Sequence, residues 1–229
     1  MSVSALARRI ADRASPGEVL VVGVTGSVAA GKSTLCAGLK AALEPARRVE
    51  VVSTDGFLFP NAVLAERGTL MRKGYPETYD GEGLAAILRA VREGPVTVPG
   101  YSHVIYDIDP ALARAVARPD ILIVEGLGLT PRPAGLDLLV YLDAEEADLE
   151  DWFTARFMDF WRAAETDPAS FYARFRTMSE AETDSFARER VWGQMNLPNL
   201  REHIIRAREE ADIVVRKAAD HSLAALQDR

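Results

Sequence analysis

The chain has 229 residues, 48% of them hydrophobic, enough for a real core and a better fit to one α/β domain with an appendage than to two full domains. Its formal net charge of -7 excludes a protein that grips nucleic acid or an anionic membrane through its overall field, so a bound anion needs local positive groups. The lone cysteine, Cys36, excludes a disulfide framework and a cysteine-based metal site, and it fits a reducing cytoplasm.

The segment Met1 to Ser15 lacks the apolar core of a signal peptide, and no later stretch approaches a membrane span. It predicts a short amphipathic helix built on Leu6 and Ile10, ended before Ser15-Pro16-Gly17. Glu18 to Val24 predicts a buried strand, and Gly26-Ser27-Val28-Ala29-Ala30-Gly31-Lys32-Ser33-Thr34 follows as a phosphate-binding P-loop in the context that motif requires. Its glycines let backbone N–H groups turn toward an anion, Lys32 meets the β- and γ-phosphates, and the Ser33 hydroxyl is placed to hold Mg²⁺. The helix from Lys32 to Leu43 carries Leu35, Leu39 and Leu43 on one face and turns Cys36 inward.

A second strand, Arg48 to Ser53, ends in Thr54-Asp55-Gly56, and Gly81 to Glu93 reads as helix. Pro95 to Pro99 is strand-like, while Tyr101 to Asp109 is rich in aromatic and β-branched residues without a clear period. Ile121 to Val124 is a buried strand running into Glu125-Gly126, and Leu136 to Leu142 is another. Glu145 to Arg190 predicts helix almost throughout, with Asp167-Pro168 as a helix start and Ser179 with Glu182 as a capping box. Asp212 to Arg216 gives a last strand, and Ala219 to Gln227 a terminal helix. Strands alternating with helices predict a mostly parallel sheet covered on both faces, with the P-loop, Asp55 and Glu125 converging at the carboxyl ends of its strands.

Phosphoryl transfer needs the nucleotide held, the γ-phosphoryl charge neutralised and the acceptor oxygen placed in line. Asp55 is a candidate to orient an acceptor hydroxyl and take its proton, or else the middle of a plain Thr-Asp-Gly turn. Glu125 stands where P-loop proteins put the acid that faces Mg²⁺, the alternative being a strand-end glutamate in solvent. Arg156 can reach over the phosphates from its helix, or pair with Asp159 or Trp152 along a solvated face. Trp152, Phe153, Phe157, Phe160 and Trp161 form an aromatic stripe of core spacing, and His103 lies between two tyrosines as a ligand contact or a structural histidine. His203 and His221 have no neighbours at metal-ligand spacing.

Beyond the P-loop, the blocks Ser53-Thr54-Asp55-Gly56-Phe57-Leu58-Phe59-Pro60-Asn61, Arg72-Lys73-Gly74-Tyr75-Pro76-Glu77-Thr78-Tyr79-Asp80, Tyr101-Ser102-His103-Val104-Ile105-Tyr106-Asp107 and Trp192 to Leu200 occur in an order and spacing that resembles the bacterial type I pantothenate kinase. That family belongs to the P-loop kinase group with uridine kinase and phosphoribulokinase. The resemblance implies a single P-loop NTPase-like domain over 1–229, a three-layer α/β sandwich in which 145–195 form a helical lid and acceptor-site region. It implies ATP and Mg²⁺ as cofactors, a small-molecule alcohol, in the family pantothenate, as substrate, a cytoplasmic location, and it suggests a homodimer. By matching positions Asp55 activates the hydroxyl with Lys32 and Arg156 on the phosphates, Tyr101, His103, Tyr106, Phe153 and Asn196 line the acceptor site, and Lys217 and His221 lie near the adenine.

Three departures modify those expectations. The P-loop begins at Gly26, without the family's longer preceding region, so adenine is expected to be held differently or more loosely. Phe153 replaces a tyrosine that hydrogen-bonds the acceptor, which relaxes discrimination and brings in another small alcohol (nucleoside, sugar or vitamin) as alternative acceptor. Ala37 replaces an arginine associated with feedback binding of coenzyme A. A different alternative is a nucleotide-dependent switch ATPase whose helical stretch binds a partner.

Overall fold

The apolar runs become strands and the 3.6-periodic runs helices, in the order α1 (Val3–Ala11), β1 (Leu20–Gly26), α2 (Lys32–Leu43), β2 (Val49–Ser53), α3 (Asn61–Glu66), α4 (Gly81–Ala90), β3 (Val96–Val98) and β4 (Tyr101–Ser102). The chain continues through β5 (Asp107–Ile108), β6 (Arg114–Val116), β7 (Ile121–Glu125), β8 (Leu138–Asp143), α5 (Glu146–Ala163) and α6 (Glu180–Ser185). It ends with α7 (Leu197–Asn199), α8 (Ile205–Glu210), β9 (Ile213–Lys217) and β10 (Leu223–Asp228). This computed structural model describes residues 2–44 and 46–228.

The six-stranded sheet has the order β10-β9-β8-β1-β7-β2. All neighbours are parallel except β9 and β10. β1, β7 and β8 are near-continuous apolar runs because parallel strands are covered on both faces. Helix α2 lies against β1, β2 and β7, and α8 against β1 and β8, giving a three-layer α/β sandwich. The chain leaves β1 toward β2 on one side and later adds β8 and β9 on the other, so the crevice at the carboxyl end of β1 is a topological switch point. α1 packs on α2 through Leu6 and Ile10, both fully buried, each contributing about 1.5–3 kcal/mol by burial.

Four local expectations need correction. β1 starts at Leu20 rather than Glu18, and α4 stops at Ala90, after which Arg92 turns to donate to the carbonyls of Val19 (2.8 Å) and Gly135 (2.8 Å). The helical stretch after Glu145 breaks after Ala163: Asp167 starts no helix but accepts from Ala169 N–H at 3.1 Å in a turn that leads to a 3₁₀ segment, Phe171–Phe175. Ser179 and Glu182 do form the capping box, and beyond α6 the helix widens into π-winding over Phe186–Asn196 and Leu200–Ile204. The C-terminal helix is a strand: β10 pairs antiparallel with β9, because the outer edge of β9 offers a row of unpaired backbone groups that outweighs the helix preference of Ala-Ala-Leu-Gln. The tract 101–109 resolves as the β4–β5 hairpin.

Behind the site, Thr54 Oγ1 accepts from Gly128 N–H at 3.2 Å, and a Cβ on Gly126 (φ +144°) would lie 1.9 Å from that oxygen. Gly126→Ala is therefore expected to cost about 2 kcal/mol or more, read as a lower denaturant midpoint, and to displace the neighbouring Asp55 turn.

Candidate active site

β1 delivers the chain to the P-loop through Gly26, whose backbone passes so close to β8 that a Cβ there would stand 2.3 Å from the Leu142 carbonyl oxygen. The loop is tightly wound, with Ala29 at φ 61° and Ala30 N–H donating to the Ser27 carbonyl at 3.3 Å. Lys32 lies across it, donating to the carbonyls of Gly26 (3.2 Å) and Ser27 (2.8 Å). Burial lowers the proton affinity of this ammonium, and the carboxylates of Glu125 and Asp55 counter that shift. The hydroxyls of Thr25 and Ser27 are buried without a hydrogen-bond partner, as fits a cradle built for an anionic ligand rather than for itself.

Ser33, in the first turn of α2, donates its hydroxyl to Glu125 Oε1 at 3.0 Å, and Thr34 is exposed beside it. Desolvation raises the Glu125 carboxyl above its ordinary range, with Lys32 pulling the other way. Among the described residues no three His, Cys, Asp or Glu side chains cluster as metal ligands, whereas one hydroxyl and one carboxylate beside a phosphate cradle fit a hard cation that keeps waters and phosphate oxygens as its other ligands.

Asp55 stands on the 3₁₀ turn Thr54–Phe57 after β2, held by its own N–H donating to Ser53 Oγ at 3.2 Å. Thr54, Asp55 and Gly56 do form a turn, and the Asp55 side chain on it is half-buried. Asp55 Oδ2 is 3.9 Å from His103 Nε2, and its charge acts on Lys32, Glu125 and Lys73.

Across from it, the β4–β5 hairpin places Tyr101 edge-on to His103 (5.1 Å between centroids) and to Tyr106 (6.1 Å). Tyr106 takes a left-handed φ of 56°, costly for a tyrosine, and stacks on Phe171 at 4.4 Å. Two donors hold the Tyr106 carbonyl, Asn61 Nδ2 at 2.9 Å and Lys73 Nζ at 2.6 Å.

On the helical side, the Arg156 guanidinium is exposed, 5.4 Å from the Phe160 ring, and acts electrostatically on Lys32 and Tyr106. Asp159, its candidate partner, pairs instead with Arg162 at 3.3 Å. Phe153 is buried against Phe157 and Trp192, within an aromatic cluster that extends to Tyr172, Phe175 and Phe186. Asn196 is half-buried at the end of the first π-wound stretch. His221 reaches the P-loop side through a layer of contacts: its ring lies 4.6 Å from Trp152, Lys217 Nζ lies 4.2 Å above Trp152, and the same Nζ donates to the Ala30 carbonyl at 2.8 Å. The acids at the start of α5 pair with arginines, Glu146 with Arg201 and Asp151 with Arg188, away from this chemistry.

Lys73 joins this group of side chains although no motif in the sequence implies a role for it. It donates to Asn61 Oδ1 at 2.7 Å, lies 4.9 Å from the centroid of Tyr101 and 4.6 Å from that of Tyr106, and faces Asp55 and Asp107. Its only sequence signal is the Arg-Lys-Gly-Tyr-Pro run, which has no period to place it. Burial lowers its pKa to about 8, so its charge is complete well below that pH and is lost as pH rises through it. Second-order turnover of a site that uses this cation is expected to fall with unit slope above about pH 8, and Lys73→Arg to remove that alkaline limb.

Residues 21–150 match the Phosphoribulokinase / Uridine kinase family. A pantothenate kinase of Sorangium cellulosum is 42% identical over 91% of this chain and 72% of its own length, and one of Mycolicibacterium smegmatis is 42% identical over 91% and 70%. Among solved structures, a Silicibacter protein provisionally described as a fructose transport system kinase superposes with a TM-score of 0.64 at 30% identity, over 82% of this chain and 96% of that one. The D-glycerate 3-kinase of Cryptococcus neoformans shares the fold alone, with a TM-score of 0.61 at 13% identity over 99% and 96%. With a phosphate cradle, a half-buried carboxylate and these relatives in agreement, the chain belongs to the phosphoribulokinase/uridine kinase family and is an ATP-dependent small-molecule phosphotransferase.

Proposed function

We propose that the chain moves the γ-phosphoryl group of ATP to the primary hydroxyl of pantothenate. The observation that carries this reading is the Asp55 carboxylate, 3.9 Å from His103 and within the field of Lys32, between an anion cradle and a wall of polar aromatics. Asp55 orients the hydroxyl and accepts its proton as the new O–P bond forms and the bond from the γ-phosphorus to the bridging oxygen of ADP breaks. Lys32, with the P-loop N–H groups from Gly26 to Thr34, holds the phosphates, and Arg156 neutralises the transferring group from above. Ser33 and Glu125 would hold the Mg²⁺ carried with ATP, which would supply charge neutralisation on the phosphoryl oxygens. Tyr101, His103, Tyr106 and Asn196 bind the acceptor, Phe153 contributes an apolar wall, and Lys217, Trp152 and His221 flank the nucleotide. Residues 145–195 serve as the lid, in a single domain working in the cytoplasm.

The test is ADP release with ATP, Mg²⁺ and a panel of small alcohols. Strong dependence on pantothenate supports the reading, and steady release that ignores every alcohol overturns it in favour of a switch ATPase. Phe153 favours a second reading with the same chemistry and another acceptor, because an apolar wall discriminates less sharply among hydroxyl substrates. The panel separates the two by which alcohol drives release.

Ala37 is exposed on α2 and presents no cation. Low-micromolar coenzyme A is accordingly expected to leave turnover unchanged, and inhibition competitive with ATP would contradict this.

A further inference from the structure

Asn199 lies far along the chain from the P-loop, the Asp55 turn and the hairpin, yet it is only 3% exposed, an unusual burial for an amide. It sits on α7, the short α-turn containing Pro198 that separates the two π-wound stretches. Its Nδ2 donates to the Gly74 carbonyl at 2.9 Å. Gly74 has φ +98°, is the residue after Lys73, and its N–H donates to Thr78 Oγ1 at 3.1 Å. One residue on, Tyr75 OH donates to the Met195 carbonyl at 3.0 Å, the residue before Asn196. The loop that presents Lys73 and the helix that presents Asn196 are thus fastened to each other at two points, neither of which touches the reacting centre. The Tyr75 ring also packs edge-on to His203 at 5.5 Å, which backs the same junction.

We infer that Asn199 is a positioning residue, which by holding the Gly74 carbonyl sets where Lys73 stands between Asp55 and the hairpin tyrosines. This inference rests on the proposed acceptor site for its kinetic consequence, but not for its geometry. The Gly74 carbonyl is held from one side by the Asn199 amide on the helix, and without that donor this half-buried carbonyl loses that partner and the loop has reason to move. A shift of about 1 Å in a substrate-positioning group costs on the order of 10²-fold in turnover.

The experiment compares Asn199→Leu, which keeps the branched outline of the side chain and removes the donor, with Asn199→Gln, which keeps a donor, and with Tyr75→Phe at the second fastening point. Amide hydrogen exchange over residues 70–78, read without any acceptor, is expected to quicken in Asn199→Leu and less in Asn199→Gln, while exchange in the P-loop stays as in the parent. With the acceptor identified by the panel, kcat/KM for acceptor should fall about tenfold or more in Asn199→Leu, with the KM for ATP within about twofold, and Gln should recover part of the loss. Unchanged exchange over 70–78 overturns the inference, as does an equal loss for ATP and acceptor. If Asn199→Leu does not fold, Asn199→Ala, which removes the donor without adding bulk, carries both readouts with the same expectations. A parent protein that shows no acceptor-dependent ADP release removes the proposed acceptor reaction, and the exchange result alone then decides whether Asn199 fastens the loop.

Discussion

Replacing Asp55 by asparagine is expected to lower turnover by about 10²–10⁴-fold while the affinity for ATP stays nearly as it was. The substitution keeps the size and one acceptor oxygen of the side chain, and the turn that holds it depends on the Asp55 N–H to Ser53 Oγ bond, which survives. What is lost is a negative charge able to take a proton, about 2.7 kcal/mol of barrier at the lower end of that range. ATP affinity depends instead on the P-loop and Lys32, so nucleotide titration should barely change. A variant as active as the parent would remove Asp55 from the reaction, and His103, 3.9 Å away, would be the next base to try.

Lys32→Ala is expected to act on both terms at once, weakening ATP binding and lowering kcat by about 10²–10³-fold. The Lys32 ammonium bridges the Gly26 and Ser27 carbonyls, so its loss frees two acceptors and slackens the loop. Its buried position between Glu125 and Asp55 also means that those two carboxylates are left to repel each other. Lys32→Arg should not rescue, because a planar guanidinium is too wide for a pocket that closes on a single ammonium. Steady-state kinetics on both variants, with ATP binding measured separately, check the prediction. Rescue by arginine would show that only charge matters there.

The sheet and its chemistry-bearing strand ends were legible because they are local: an apolar run followed by Gly26–Thr34, or by Glu125, is written in a few adjacent residues. The Asp55 turn was legible for the same reason. β10 was not, since nothing in Leu-Ala-Ala-Leu-Gln encodes the open edge of β9 that recruits it. Nor was the break after Ala163, where helix-compatible residues give way to a turn that lets Phe171 N–H reach the Val104 carbonyl at 2.7 Å. Lys73 and Asn199 share a further obstacle: each acquires its place from a residue more than thirty positions away, Tyr106 in one case and Gly74 in the other.

That bond from Phe171 to Val104, with Tyr106 stacked on the same phenyl ring, ties the tip of the hairpin to the segment after α5. On the reading proposed above, swinging the helical arm outward would break that backbone bond and unstack the ring pair on the acceptor side, and it would also reach the cradle, because Trp152 of α5 lies under the Lys217 ammonium that donates to the Ala30 carbonyl.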